Sequence, residues 1–79
     1  MNNQEKLIQS FAEALSIEPS LITDTLMYQG IEEWDSISHM ILISQLEEAF
    51  DISIDTDDVI DLSSVSKSKE ILTKYNIVF

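Results

Sequence analysis

The chain has 79 residues and no cysteine, which excludes a disulfide framework and a thiolate metal site and leaves one apolar core to hold a domain near the lower size limit. A formal net charge of −11, from 15 acids against four lysines and no arginine, excludes a basic nucleic-acid footprint and disfavours adsorption to anionic lipid. The 44% hydrophobic content, with a single glycine and a single proline, argues for a folded and mainly helical domain despite that charge.

Leu7, Ile8, Phe11, Ala12 and Leu15 recur at offsets that predict an amphipathic helix over roughly residues 3 to 15, closed by Pro19. Residues 16–34 read as a long ordered loop, with Leu21, Ile22, Leu26 and Met27 available to pin it to the core. A connection of that length in a compact domain has a task or contains a short helix. A second helix is predicted from about Ser36 to Phe50, capped by Asp35. At 100° per residue, Leu42, Ile43, Leu46, Ala49 and Phe50 share its inner face, while Ile37, Met40 and Ile41 point largely away. Asp55 and Asp58 have the spacing of a cap and its reciprocal acid for a short third helix over about 56–61, with Val59, Ile60 and Leu62 turned inward. A final helix starts near Ser64, with Val65, Leu72 and Tyr75 on its apolar side and Lys74 near its negative end. The expected fold is all-α: a four-helix bundle of three longer helices and one short third helix, with residues 1–79 forming one domain.

The charge is uneven. Residues 1–63 hold Lys6 against 14 acids, so basic partners should dock on the first three quarters of the chain. No run approaches the length of a membrane span, and MNNQEKLIQS lacks a basic stretch followed by an apolar one. A cytoplasmic monomer is the expectation, with neither nucleic acid nor membrane as a partner.

The run Glu32-Glu33-Trp34-Asp35-Ser36-Ile37 places a hydroxyl in the first turn of a helix, where unpartnered N–H groups and the positive end of the helix dipole favour a phosphodiester. Nothing nearby in sequence supplies the base and oxyanion stabiliser that a serine nucleophile needs, so a modification site is the better reading, without catalytic residues. Here the chain resembles the acyl carrier protein family, whose Asp-Ser-Leu motif appears as Asp35-Ser36-Ile37. The resemblance continues through Leu46-Glu47-Glu48-Ala49-Phe50-Asp51-Ile52-Ser53-Ile54 and Leu62-Ser63-Ser64-Val65. It implies a four-helix bundle without enzymatic activity of its own. It also implies that Ser36 receives 4′-phosphopantetheine from coenzyme A through a magnesium-dependent phosphopantetheinyl transferase (holo-acyl carrier protein synthase), and that the arm's thiol carries an acyl or aminoacyl group as a thioester. The further partners it implies are a loading ligase, a ketosynthase or an acyltransferase with basic docking surfaces, in fatty acid or specialised metabolite biosynthesis. Ser38, His39 and Ile41 stand where carriers of fatty acid synthesis usually have further acids. Trp34 replaces the small residues common before the Asp-Ser pair, as in stand-alone carriers of specialised pathways.

For such a carrier, Ile37, Met40 and Ile41 would form the apolar centre of a docking patch, or else pack against the third helix. Glu47, Glu48, Asp51, Asp55, Asp57, Asp58 and Asp61 would form the acidic rim that steers basic partners. His39 lies by angle on the core-facing stripe and reads as a partly buried structural histidine, and Trp34 and Tyr28 read as lids on the core. A calcium loop counted from Asp55 fails, with Ile60 where glycine is required and Ser66 where a bidentate glutamate is expected, and no metal site is assigned. The competing class is an acidic protein-binding adaptor or nucleic-acid mimic, in which Ser36 is incidental.

Overall fold

Each long helix opens on a short polar side chain that satisfies first-turn amides, and the predicted boundaries follow from those caps. The computed structural model describes residues 2–79. Asn2 accepts from the Glu5 amide at 2.8 Å and starts α1 (Asn3–Leu15). Asp35 starts α2 (Ser36–Phe50), and Ser64 accepts from the Lys67 amide at 2.9 Å and starts α4 (Val65–Lys74). The short α3 (Thr56–Asp61) lies between α2 and α4. The architecture is the expected all-α bundle of three longer helices and a short third one, with principal extents of 30 × 27 × 20 Å. Among the described residues no helix is long and apolar enough to cross a membrane.

Pro19 does not close α1. The helix ends at Leu15 because Ser16 turns into the left-handed region at φ 57°, and the Ile17 amide reaches back to the Ala12 carbonyl at 3.1 Å. Asp51 ends α2 in the same way, at φ 54°, with the Ile52 amide on the Glu47 carbonyl at 3.1 Å. Pro19 instead opens a 3₁₀ turn, Pro19–Leu21, inside the long loop.

Leu7, Phe11, Trp34, Leu42, Leu46 and Leu72 are sealed from solvent. Fully burying one such leucine contributes roughly 1.5–3 kcal/mol, so this core is the main favourable term in a chain without staples. The inner face read for α2 is buried at Leu42, Ile43, Leu46 and Phe50, with Ala49 half-buried. Ile71, absent from the predicted apolar side of α4, is buried as well.

The loop is secured differently from the expectation. Ile22 is buried and Leu26 half-buried, but Leu21 and Met27 are exposed. Its hold comes from backbone hydrogen bonds to the start of α4: the Val65 amide donates to Leu26 at 3.0 Å and the Tyr28 amide to Ser63 at 2.9 Å. A tight turn follows, in which the Gly30 amide meets the Met27 carbonyl at 2.8 Å. A Cβ at Gly30 would sit 2.9 Å from that carbonyl oxygen, so a larger residue would force the turn apart.

α3 is too short to persist alone and depends on tertiary contacts. Two expectations change there. Ile60 is 77% exposed, and only Leu62 is fully buried among Val59, Ile60 and Leu62. Asp55 caps α3 without a side-chain hydrogen bond, and Asp58 is no reciprocal cap, because its carboxylate is turned towards the end of α4. There it accepts from Lys74 Nζ at 2.6 Å and from the Tyr75 hydroxyl at 2.7 Å, while the Asp55 amide donates to the Tyr75 oxygen at 2.9 Å.

These bonds hold the Asp58 carboxyl below its ordinary 3.8, Lys74 first and Tyr75 second, against desolvation. The same carboxylate raises Lys74 above 10.5. Tyr75 is also raised above 10.0: the Asp55 amide acts downward, but the bond to Asp58 and desolvation outweigh it. The stabilisation from Asp58 is therefore complete above pH 3.8 and is lost as pH falls through its lower folded value, whereas that from Lys74 and Tyr75 is lost as pH rises past 10. Asp58→Asn is expected to lower stability at neutral pH and to shrink the acid loss seen by denaturant unfolding. Asp35, which is depressed too, contributes to the loss that remains. Identical acid limbs in the variant and the wild type would show that the cluster contributes nothing.

Candidate functional site

The start of α2 is built by a reciprocal pair of side chains. Asp35 has extended backbone, and its Oδ1 accepts from the Ile37 amide at 3.0 Å and the Ser38 amide at 2.9 Å. Ser38 Oγ accepts in return from the Asp35 amide at 2.9 Å, the role usually taken by a glutamate or glutamine. Its proton goes to the Glu33 carbonyl at 2.6 Å, so one hydroxyl joins the loop to the helix. The Ser38 amide is the largest influence pulling the Asp35 carboxyl below its usual value, with desolvation opposing and the Ser38 hydroxyl adding to the fall. At neutral pH the cap is thus an anion with its acceptor oxygen in place.

Ser36 is the first residue of this helix, and it is exposed. Its hydroxyl makes no hydrogen bond among the described residues, so the oxygen is free for an incoming group. The amides of Ile37 and Ser38 are occupied by Asp35 Oδ1, and that of His39 by the Asp35 carbonyl at 2.9 Å. Of the first-turn donors that favour a phosphate, only the Ser36 amide stays unpartnered, together with the field of the helix dipole.

A cleft of about 350 Å³ opens beside Ser36, with His39, Met40, Val59, Ile60 and Leu62 among its lining residues. Its walls are α2 and α3. An exposed hydroxyl beside a cleft with apolar and polar lining fits a phosphodiester-linked 4′-phosphopantetheine arm, whose chain carries methylene groups, a hydroxyl and two amides.

His39 is half-buried, as its angle on α2 predicts, and it is no base for Ser36. Trp34 Nε1 donates to its Nδ1 at 3.0 Å, and its Nε2 lies 2.8 Å from the Val59 carbonyl. Both ring nitrogens are therefore occupied within the protein. Trp34 is no lid but a fully buried core residue, edge-on to Phe11 with ring centroids 5.3 Å apart. Sequence reading missed this partnership, although a buried indole needs an acceptor and the only histidine lies five residues away.

Ile37, Met40 and Ile41 are all exposed, Ile37 at 74%, and Ile60 adds a further exposed apolar side chain across the cleft. Of the acids predicted as a rim, Glu48, Asp51, Asp55 and Asp57 are exposed. Asp61 is exposed too, 3.4 Å from Lys67. Two are otherwise engaged: Asp58 is only 8% exposed and held by Lys74 and Tyr75, and Glu47 Oε2 accepts from the Ile54 amide at 2.8 Å. Both serve the loops and helix that flank the cleft.

A family model described as a phosphopantetheine attachment site matches residues 5–68, a span running from α1 into α4 and including Asp35 and Ser36. No curated protein and no solved structure matches the chain.

Removing the Ser38 hydroxyl leaves the Asp35 amide and the Glu33 carbonyl without their partner. Ser38→Ala is expected to lower the unfolding free energy by about 1 kcal/mol, the usual size of a capping loss, with Ser38→Thr retaining part of it. Denaturant titration followed by far-ultraviolet circular dichroism checks this, and an unchanged midpoint in Ser38→Ala would show that the loop and helix are joined by other means.

Proposed function

The chain belongs to the phosphopantetheine attachment-site family, and from that premise we propose that Ser36 bears the arm and that residues 1–79 act as one carrier unit. The family's members are carriers without catalytic activity, and the covalent 4′-phosphopantetheine group supplies the thiol that this cysteine-free chain lacks. The observation that supports Ser36 is its unengaged hydroxyl at the first position of α2, exposed beside the cleft.

Ser36 Oγ would attack the pyrophosphate of coenzyme A, forming a phosphodiester and releasing the adenosine bisphosphate. The serine proton must leave to a base on the phosphopantetheinyl transferase, because His39 is fully engaged. The dipole of α2 favours the resulting anion, with the Asp35 charge opposing it. The loaded carrier then presents an acyl or aminoacyl thioester to biosynthetic enzymes that dock on basic surfaces. Ile37, Met40 and Ile41 supply the apolar centre of that docking patch, and Glu48, Asp51, Asp55 and Asp57 supply the steering charge. A net charge of −11 repels like copies, which supports a monomer working among separate enzymes in the cytoplasm.

Incubation with a broad-specificity phosphopantetheinyl transferase, magnesium and coenzyme A is expected to add one phosphopantetheine to the wild type and none to Ser36→Ala, read by intact-protein mass spectrometry. An unmodified wild type, where a control carrier is modified, favours the acidic adaptor reading and ends this one. Association with a basic partner enzyme is expected to slow as salt rises, since charges are screened beyond about 8 Å at physiological ionic strength. A salt-independent association rate would remove the acids from docking.

A further inference from the structure

The apolar stripe of α1 is only partly used by the core. Leu7, Phe11 and Leu15 are buried, but Ile8, from the same stripe, is left half-buried. The left-handed turn at Ser16 decides what lies beside it. That turn carries the Ile17 amide back to the Ala12 carbonyl at 3.1 Å, and Pro19 then opens the 3₁₀ turn, so the loop returns against α1. Ile17 and Pro19 thereby join Ile8 and Ala12 in lining an open groove of about 500 Å³. Glu5, Gln9 and Glu13 form one row along its edge, because side chains four apart stand above one another on a helix.

Charge selects what fits this groove. Glu5 and Glu13 are exposed, and no cation is among the described residues that line it. The lysine of α1, Lys6, is turned towards α2 instead, 5.9 Å over the Phe50 ring. A second copy of the chain, at a net charge of −11, is repelled from such a rim, and so is an anionic lipid surface. The spacing of the acids narrows the choice further. Glu5 and Glu13 are separated by about 12 Å of helix rise. A helix laid along α1 has the same rise, so cations about two turns apart would meet both acids, with the apolar residues between them on Ile8 and Ala12.

We propose that the groove between α1 and the 3₁₀ turn is a second docking face, which holds an amphipathic helix of a partner enzyme bearing lysines or arginines two turns apart. The groove shares no lining residue with the cleft beside Ser36, so the two faces can be engaged at once. A partner held on α1 keeps the Ser36 face at high effective concentration without occupying it. This goes beyond the carrier reading and does not depend on modification of Ser36.

The test titrates the isotopically labelled full chain with a synthetic amphipathic helical peptide that has lysines two turns apart and leucines between them. Amide resonance shifts are expected to centre on Ile8, Gln9, Ala12 and Ile17. The variant Glu5→Gln/Glu13→Gln, whose changes are both at exposed positions, is expected to weaken binding roughly tenfold through the loss of two ion pairs. The control Glu48→Gln/Asp57→Asn removes the same charge elsewhere and is expected to change the affinity by less than about twofold, as distant surface charges are screened. Shifts confined to Ile37, Met40 and Ile41, or no shifts at all, overturn the proposal. Equal losses in the two double variants overturn it as well, because net charge alone would then account for binding. Ser36→Ala is expected to bind the peptide as the wild type does, so the outcome is read separately from that of the attachment experiment.

Discussion

A helix has one phase once its first turn is set, and in this protein the interlocked Asp35 and Ser38 side chains set it for α2. From that start the 100° step carries Leu42, Ile43, Leu46 and Phe50 into the core and leaves Ser36, Ile37, Met40 and Ile41 facing solvent. The exposure of the Ser36 hydroxyl and the burial of the apolar face therefore follow from one helical phase.

The second constraint is how a chain this small holds a six-residue helix. Surface ion pairs alone are weak, typically below about 1 kcal/mol, and the Lys74 side chain is largely exposed. What distinguishes the Asp58 site is its burial and its second donor, the Tyr75 hydroxyl, which itself receives the Asp55 amide. From the other side, the His39–Val59 bond ties the same helix to α2. α3 is thus held by polar bonds at both faces as well as by Val59 against the core, and Ile60 is left in the open.

Charge is arranged with the same economy. Lys67, Lys69 and Lys74 each pair with an acid, at 3.4, 2.9 and 2.6 Å, and Lys6 lies 5.9 Å over the Phe50 ring. The cations thus serve the fold, and most acids are left to project a negative field at solvent. The family's prosthetic group brings the thiol that this cysteine-free chain lacks.

The approximate bounds of the first three helices and the start of the last were readable from sequence because caps and apolar periodicity act within a few positions: Asp35 on Ser38, Ser64 on Lys67, Leu42 with Leu46. The outward set of α2 followed from the same geometry, and so did a half-buried His39. Sequence reading failed at one local point and at several distant ones. Ser16 rather than Pro19 ends α1, because Ser16 itself adopts the left-handed conformation, which a serine does not advertise in sequence. Trp34 is core rather than lid, Asp58 is sealed rather than steering, and Leu21 and Met27 leave the loop to be held by the backbone at Ser63 and Val65. Apart from Ser16, these depend on partners far apart in the chain, as with His39 and Val59 or Asp58 and Tyr75, 20 and 17 residues away. Local periodicity carries no information about such pairings, and only the packing of one helix against another decides which polar group finds which.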